Sequence, residues 1–298
     1  MRTPSLLHPP ECVWSAGALL GEGPVWSSAS RALYWVDILG HKLHRYSPDT
    51  NSQETWDFDE EISSACERRD GDGLLVTLRQ TIAFFDPRAQ TITPLASPEP
   101  ERKRNRFNDA KCDSHGRLWA GTMDFDCRRP TGALYRFESA TSCTRALDGI
   151  AITNGPTWSG DEKTMFFTDT FNHRTYAFDF DATTGTLRGQ REWKTFEVAT
   201  EGSPDGMTTD ADGRIWIAHW GAACITCHTP SSELLLKIDL PTRFVTSCAF
   251  GDDDLQTLYI TTACNDLTPE ERAREPLAGG LFRVRLDVRG LPAHRFAG

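Results

Sequence analysis

Short apolar and aromatic runs recur along the chain and predict pairs of β-strands. Each of six units contains two such runs. The first runs of the units begin at Leu33, Leu74, Leu118, Met165, Ile215 and Leu258. One position can be aligned in all six units, namely Tyr34, Leu75, Trp119, Phe166, Trp216 and Tyr259, with spacings of 41, 44, 47, 50 and 43 residues. A repeat of about 40–50 residues built from short strands is typical of a β-propeller. The sequence therefore predicts an all-β fold, a six-bladed β-propeller with four-stranded blades.

A polar residue precedes each aligned position by 11 or 12 residues. Four of these residues carry a carboxylate or an amide, namely Glu22, Asn108, Asn154 and Asp205, and the other two units have Ser63 and Ser247. Equivalent positions of successive blades lie at one height around the propeller axis, so we expect the four side chains to converge. Hard oxygen donors are the ligands that divalent cations prefer. The pattern favours a metal or polar-ligand site over the alternative that Asn and Asp only turn the chain.

The repeats follow one another without a linker, which predicts a single domain over residues 1–298. The propeller is expected to occupy about 12–290, with short termini. The segment from Val13 to Leu19 is a candidate to pair with the last unit and to close the ring. One helix is predicted from Pro269 to about Arg274, because Thr268 begins a capping box. We expect this segment to form a loop over one face of the propeller.

Charge and composition exclude some partners. The net charge of −10 argues against nucleic acid, whose phosphates attract basic surfaces. No apolar stretch approaches the roughly 18 residues of a membrane span, and the first residues do not resemble a signal peptide. The nine cysteines are odd in number and irregularly spaced, which favours reduced thiols. We expect a cytoplasmic protein that is a monomer or a weak homo-oligomer, with a small-molecule partner and neither nucleic acid nor a membrane.

Two motifs suggest chemistry that their context does not support. Cys224 to His228 matches the C-x-x-C-H pattern of covalent haem attachment, but the five residues lie in a predicted strand. We interpret the match as a coincidence. Asp210 to Gly213 resembles the start of a calcium loop, yet it lacks the later acidic ligand and lies between strands. We interpret it as a structural turn.

The surroundings of the four in-phase residues are more informative. Glu22, Asn154 and Asp205 are each followed by glycine, which permits sharp backbone turns and close approach of a ligand. Arg106 lies two residues before Asn108, so on a strand both side chains can point the same way. Its guanidinium could donate hydrogen bonds to sugar oxygens. The alternative is a solvated arginine that continues the basic run Arg102-Lys103-Arg104.

The strings around these residues resemble one known family. LGEGPVW, RFNDAKCDSHGRLWAGTM, ITNGPTW and SPDGM followed by GRIWIA are similar to the family of senescence marker protein (regucalcin), gluconolactonase and luciferin-regenerating enzyme. The resemblance runs from about Cys12 to Val288, and PLAGGLF from Pro276 is most similar to bacterial sugar lactonases. It implies a six-bladed propeller with one divalent cation at the axis.

The same resemblance implies roles for individual residues. Glu22, Asn154 and Asp205 match the metal ligands. The implied substrate-binding residues are Arg106, Asn108, Asp109 and Asp126. Asp126 stands where animal members have a longer Glu that contacts the sugar hydroxyls.

The resemblance also implies an activity. We expect a metal-dependent sugar lactonase that opens an aldonolactone to the aldonic acid, with Asp205 as the candidate general base. The oxygen-rich ligands suit Ca, Mg or Mn, and Zn or Fe(II) also fit an open three-ligand site. Two alternatives stay open, namely a hydrolase of other esters or phosphotriesters and a non-catalytic calcium-binding propeller.

Overall fold

Each repeat of the sequence forms one antiparallel sheet of four strands. A computed structural model of the chain describes residues 1–139 and 141–298. Six such sheets form the blades of a ring, which confirms the six-bladed β-propeller with four-stranded blades. We call the face where the innermost strands begin the upper face, and the opposite one the lower face.

Strand β1 (Glu11–Trp14) precedes the first blade, which consists of β2 (Gly21–Ser27), β3 (Ala32–Asp37), β4 (Lys42–Ser47) and β5 (Ser52–Asp57). The second blade consists of β6 (Ile62–Glu67), β7 (Leu74–Leu78), β8 (Ile82–Asp86) and β9 (Thr91–Ala96). The third consists of β10 (Asn105–Cys112), β11 (Leu118–Asp124), β12 (Gly132–Phe137) and β13 (Cys143–Ile150).

The fourth blade consists of β14 (Thr153–Trp158), β15 (Thr164–Asp169), β16 (Arg174–Asp181) and β17 (Thr186–Thr195). Helix α1 (Val198–Glu201) leads to the fifth blade, which consists of β18 (Ser203–Thr209), β19 (Ile215–Trp220), β20 (Cys224–His228) and β21 (Leu234–Asp239). The sixth contains β22 (Val245–Gly251) and β23 (Thr257–Thr262), and after helix α2 (Pro269–Arg274) it continues with β24 (Leu281–Arg285).

The ring closes through its first and last strands. Strand β1 pairs antiparallel with β24, with Cys12 opposite Phe282, and so supplies the fourth strand of the sixth blade. The predicted closure is confirmed, although the pairing strand lies slightly earlier than the segment Val13 to Leu19. Pairing the two ends of the chain in one sheet fixes the sixth blade to the first.

The core lies between neighbouring blades. All six aligned apolar positions are buried, and they belong to the second strand of their blades. The tryptophans Trp35, Trp119 and Trp216 on β3, β11 and β19 are fully buried. Large side chains on the second strands therefore fill the space between the blades.

Aspartates in two of the lower-face turns are used structurally. Asp210 accepts hydrogen bonds from Nη1 of Arg214 at 2.8 Å and Nε1 of Trp216 at 2.9 Å. Asp113 is bound in the same manner by the arginine and tryptophan at matching positions of the third blade. These bonds agree with the interpretation of Asp210 to Gly213 as a structural turn.

The two helices are short. Helix α2 begins with the capping box predicted from Thr268, and Arg243 holds it through Glu271 at 2.9 Å and Glu275 at 2.7 Å. Helix α1 was not predicted, and it has no side-chain cap. Within the described ranges, no helix has the length and apolar character needed to cross a membrane.

The residues after β24 cross the lower face of the ring. Gly290 forms a bridge with Asp210, and Phe296 forms one with Arg68, so this tail spans several blades. It covers a cavity of about 210 Å³ on the propeller axis, whose wall includes Leu291 and the three residues after it. We call this space the axial cavity.

Candidate metal centre and active site

The innermost strand of every blade is irregular at the aligned polar position. The register shifts there in β2, β6, β10, β14, β18 and β22. In β2, for example, Glu22 pairs with Val36 and the next paired residue is Val25, so two residues bulge. Bulges redirect side chains and are common beside active sites. The repeat therefore encodes a matching distortion in all six blades, and four of them carry a carboxylate or an amide at it.

A chain of hydrogen bonds connects three neighbouring blades at this level. Asn108 Nδ2 donates to Asn154 Oδ1 at 3.0 Å and to the carbonyl oxygen of Thr153 at 2.8 Å. Asn154 Nδ2 donates to Thr170 Oγ1 at 2.8 Å, and that hydroxyl donates to the carbonyl oxygen of Pro204 at 2.7 Å. Because Pro204 directly precedes Asp205, this series of hydrogen bonds connects the Asn154 amide to the backbone next to Asp205.

Glu22 and Asp205 are buried carboxylates with 5 % and 6 % of their surface exposed. Burial, together with the nearby Asp109 carboxylate, raises the pKa of Glu22 to about 8. Burial also raises the pKa of Asp205, with a second contribution from the charge of Glu22. Neither carboxylate forms a salt bridge with any residue that the structure describes. Two carboxyl groups thus share a buried site in which their ionised forms are disfavoured.

Arg106 is buried next to these groups and is not a solvated surface arginine. Its Nη1 donates to Asn108 Oδ1 at 2.7 Å and to the carbonyl oxygen of Phe107 at 2.9 Å. Burial lowers the pKa of Arg106, and the charges of Glu22 and Asp205 act in the opposite direction. The structure therefore brings Arg106 together with the four in-phase residues.

Asp109 is buried below this group. It lines the axial cavity, and its Oδ2 has no hydrogen-bond partner among the described residues. Burial raises the pKa of Asp109 against the opposing charge of Lys111, with a net value of about 6. Lys111 also lines the cavity and donates to the carbonyl oxygen of Met207. A substrate contact to Asp109 stays a prediction.

Asp126 lies outside the buried group. It follows β11 in an exposed loop of the third blade, where its carboxylate forms a salt bridge with Arg104. Since the innermost strand β10 begins next to Arg104, this loop belongs to the upper face. A role for Asp126 at the mouth of the site stays a prediction.

The donor set fits a divalent cation. Glu22, Asn154 and Asp205 offer two carboxylates and one amide oxygen, which are the donors that hard cations prefer. A cation would also stabilise the ionised forms of these two buried carboxyl groups. In the part of the chain that the structure describes, no group of three or more His, Cys, Asp or Glu side chains is arranged to hold a metal. The candidate set differs from such a group because its third member is an amide.

The Cys224–His228 segment is a buried strand, as predicted. Cys224 and Cys227 are free thiols, and His228 Nε2 lies 2.9 Å from the Thr226 hydroxyl. Burial lowers the pKa of His228 to about 4. The histidine is thus hydrogen-bonded within its own strand.

Comparison with known proteins decides the family. Residues 20–264 match the family described as SMP-30/Gluconolactonase/LRE-like region. The chain belongs to this family. It is 36 % identical over 290 residues to the 6-deoxy-6-sulfogluconolactonase of Pseudomonas putida, covering 97 % of this chain and 98 % of the relative.

Two further relatives of this SMP-30/gluconolactonase-like protein are regucalcins. The regucalcin of Gallus gallus is 35 % identical over 295 residues, with 97 % of this chain and 98 % of the relative covered. The crystal structure of regucalcin from Agrobacterium tumefaciens, described as a calcium-binding protein, superposes with a TM-score of 0.90 at 26 % identity. That match covers 96 % of this chain and 97 % of the other.

Sequence reasoning missed Thr170 and did not foresee the two-residue bulges. Thr170 lies in the turn directly after β15, and nothing in its local sequence distinguishes it from the other threonines of the chain. The bulges do have a signal, because Gly-Pro follows both Glu22 and Asn154 inside a strand pattern. Glycine in a strand often marks a bulge, and proline is confined to edges or bulges.

Proposed function

We propose that the protein is a metal-dependent sugar lactonase. It would hydrolyse an aldono-1,4-lactone or aldono-1,5-lactone to the corresponding aldonic acid. The observation that carries this proposal is the buried pair Glu22 and Asp205, which forms no salt bridge among the described residues and lies beside the Asn108–Asn154 hydrogen bond. Membership of a family that includes a named sugar lactonase supports the same reaction.

Glu22, Asn154 and Asp205 would hold one divalent cation, which could be Ca, Mg, Mn, Zn or Fe(II). When bound, such a cation polarises an ester carbonyl and makes a nearby water more acidic. One of the three donors is oriented before binding. Asn154 has its amide nitrogen bonded to Thr170, which leaves its oxygen for Asn108 and for the cation.

Asp205 is the proposed general base. Its carboxylate would accept the proton of the water that attacks the lactone carbonyl and would hold that proton during ring opening. Catalysis of this kind contributes about 10²–10⁴-fold. Because burial raises the pKa of Asp205 in the cation-free protein, the carboxyl would act as a base only when a bound cation favours its ionised form.

Arg106 and Asn108 would orient the substrate. The Arg106 guanidinium donates through only one of its nitrogens in this structure, to Asn108 and to a main-chain oxygen. Its other nitrogens can donate to sugar hydroxyls, since arginine has five N–H donors. A polyol lactone uses such donors better than an aryl ester does, which favours the sugar substrate. Asp126, at the upper face, would accept from the distal hydroxyls.

Ring opening tests this proposal directly, because it releases one proton for each lactone opened. The cation-loaded protein should open at least one lactone of a panel containing gluconolactone, xylonolactone, arabinolactone and galactonolactone faster than buffer does in a pH-stat. Asp205→Ala should abolish this turnover. Faster hydrolysis of aryl esters or phosphotriesters than of every sugar lactone would instead assign the site to other esters.

A second candidate is a calcium-binding propeller without catalysis. The description of the Agrobacterium tumefaciens relative as a calcium-binding protein favours it. The same donor set would then only connect the blades. Cation binding without any acceleration of ring opening over buffer would support this alternative and exclude the lactonase.

A further inference from the structure

Two thiols meet at the boundary between the second and third blades. The Sγ atoms of Cys66 on β6 and Cys112 on β10 lie 3.6 Å apart. Each residue is buried, with 6 % of its surface exposed. Cys66 pairs with Leu75 and Cys112 with Leu118, so both lie at the lower ends of their strands. The two innermost strands themselves are in contact.

The contact suits a bond between the two sulfurs. A disulfide bond is about 2.05 Å long, so the thiols would have to approach by roughly 1.5 Å. Rotation about the side-chain bonds, with a small shift of the strands, can supply an approach of this size. Cys224 and Cys227 provide a contrast, because residues i and i+3 of one strand point to opposite faces.

The axial cavity gives small solutes a place beside these sulfurs. Cys66 and Cys112 both line it, and its volume of about 210 Å³ exceeds the space of several waters. The C-terminal tail covers its lower end. The hydrogen bond from Cys112 to Cys66 and burial raise the pKa of Cys112 well above its ordinary value. A low thiolate fraction makes oxidation slow, so the pair would react over minutes to hours rather than at once.

We propose that Cys66 and Cys112 form a reversible disulfide when the protein is exposed to hydrogen peroxide. One sulfur attacks the peroxide, the O–O bond breaks, and a sulfenic acid and one water result. The second sulfur then displaces the hydroxyl group as another water. Two S–H bonds are lost, one S–S bond forms, and two electrons and two protons reduce the peroxide to two waters. The bond would fix β10, the strand of Arg106 and Asn108, to the second blade.

Peptide mapping tests the proposal on the unmodified protein. Trypsin releases residues 46–68 with Cys66 as the only cysteine and residues 112–117 with Cys112 as the only one. After peroxide treatment, alkylation of free thiols and digestion, these peptides should be found joined, two hydrogens lighter than their sum. Dithiothreitol should separate them. Treatment should also raise the Tm by roughly 5 °C, since a disulfide constrains the unfolded chain.

Two variants complete the test. Cys112→Ala should lose both the joined peptides and the rise in Tm, while Cys143→Ala, which removes an exposed thiol, should keep both. The proposal is overturned if peroxide oxidises Cys143 while Cys66 and Cys112 stay fully alkylatable. It is equally overturned if Cys66 joins other cysteines as often as Cys112. Because the mapping uses the wild-type chain, its outcome does not depend on how well Cys112→Ala folds.

Discussion

The side-chain amide of Asn108 donates a 3.0 Å hydrogen bond to the side-chain oxygen of Asn154, across the boundary between the third and fourth blades. The two residues lie 46 positions apart in the chain. Only the repeat brings them together, because each stands at the bulge of its innermost strand. Asn108 therefore orients the oxygen that Asn154 would offer to the cation, and Arg106 in turn orients Asn108.

Replacing Asp205 with Asn should abolish catalysis and leave the fold intact. The neutral amide keeps the volume of the side chain but cannot accept the proton of the attacking water. We expect a loss of about 10²–10⁴-fold in kcat. Because burial disfavours the ionised form of Asp205, replacing it with a neutral amide should leave the Tm of the cation-free protein unchanged or raise it. An Asp205→Asn enzyme that kept full kcat with its cation bound would refute the role of general base.

Asp210 provides the structural counterpart of Asp205. It forms a buried ion pair with Arg214, whose other partner Asp212 is exposed, so Asp210→Ala removes the buried partner of the Arg214 charge. We expect destabilisation by about 3–5 kcal/mol. Urea unfolding of Asp205→Asn and Asp210→Ala measures the free energy of unfolding of each variant. Equal losses of stability in Asp205→Asn and Asp210→Ala would contradict the distinction between a functional and a structural aspartate.

Thr170→Val should weaken cation binding more than it slows catalysis. The substitution keeps the shape of the side chain but removes the hydroxyl that holds the Asn154 amide and the carbonyl of Pro204. Loss of a partner that orients a ligand typically costs about 10–100-fold in affinity. Thr168→Val is the matched control, because its buried hydroxyl bonds to Thr175 in the same blade and, within the described ranges, to no residue of the site. Calorimetric titration of both variants should show reduced affinity in Thr170→Val alone.

Cation affinity should rise with pH. The pKa of Glu22 is raised from 4.5 to about 8, so the cation-free folded protein keeps a proton there that binding must displace. Because the pKa is higher in the folded state, protonation of Glu22 contributes to the free energy of unfolding of the cation-free protein. This contribution is complete below about pH 4.5 and is lost progressively as the pH rises towards 8. Titrations across this window should show tighter binding at each higher pH and proton release. A flat pH profile of cation affinity in the wild type would contradict the assignment of Glu22 as a ligand.

Replacing Asp126 with Ala tests whether the substrate-binding site extends to the upper face. If Asp126 accepts from the distal hydroxyls, Asp126→Ala should raise KM several-fold and change kcat little, since the lost contact lies away from the reacting ester. Arg104→Ala removes the salt-bridge partner and should change KM less. Unchanged KM for every sugar lactone in Asp126→Ala would remove this residue from the site.

The parts of the structure that were predictable are those encoded locally and repeated. The aligned positions from Tyr34 to Tyr259 recur in every unit, so blade number and strand content followed from the period. The helix at Pro269 followed from its capping box. The convergence of Glu22, Asn108, Asn154 and Asp205 was predictable because a closed ring of repeats places equivalent positions of its blades at the same height along the axis.

Other features depend on tertiary contacts that leave no local pattern. Thr170 and the meeting of Cys66 with Cys112 arise from how neighbouring blades pack. The course of the tail after β24 is likewise set by bridges to distant turns, such as that between Gly290 and Asp210. The exposed position of Asp126 depends on a loop whose length and shape the repeat does not determine.

The dependence of lactone hydrolysis on a cation at Glu22 can be measured in one titration. Cation-free wild-type protein and Glu22→Gln receive increasing divalent cation while bound ion and ring opening of the best lactone substrate are followed together. We predict that wild-type activity rises in parallel with the binding of one ion per chain, and that the variant shows neither. Full ring-opening activity before any ion is added, or unchanged binding and activity in Glu22→Gln, would contradict the account.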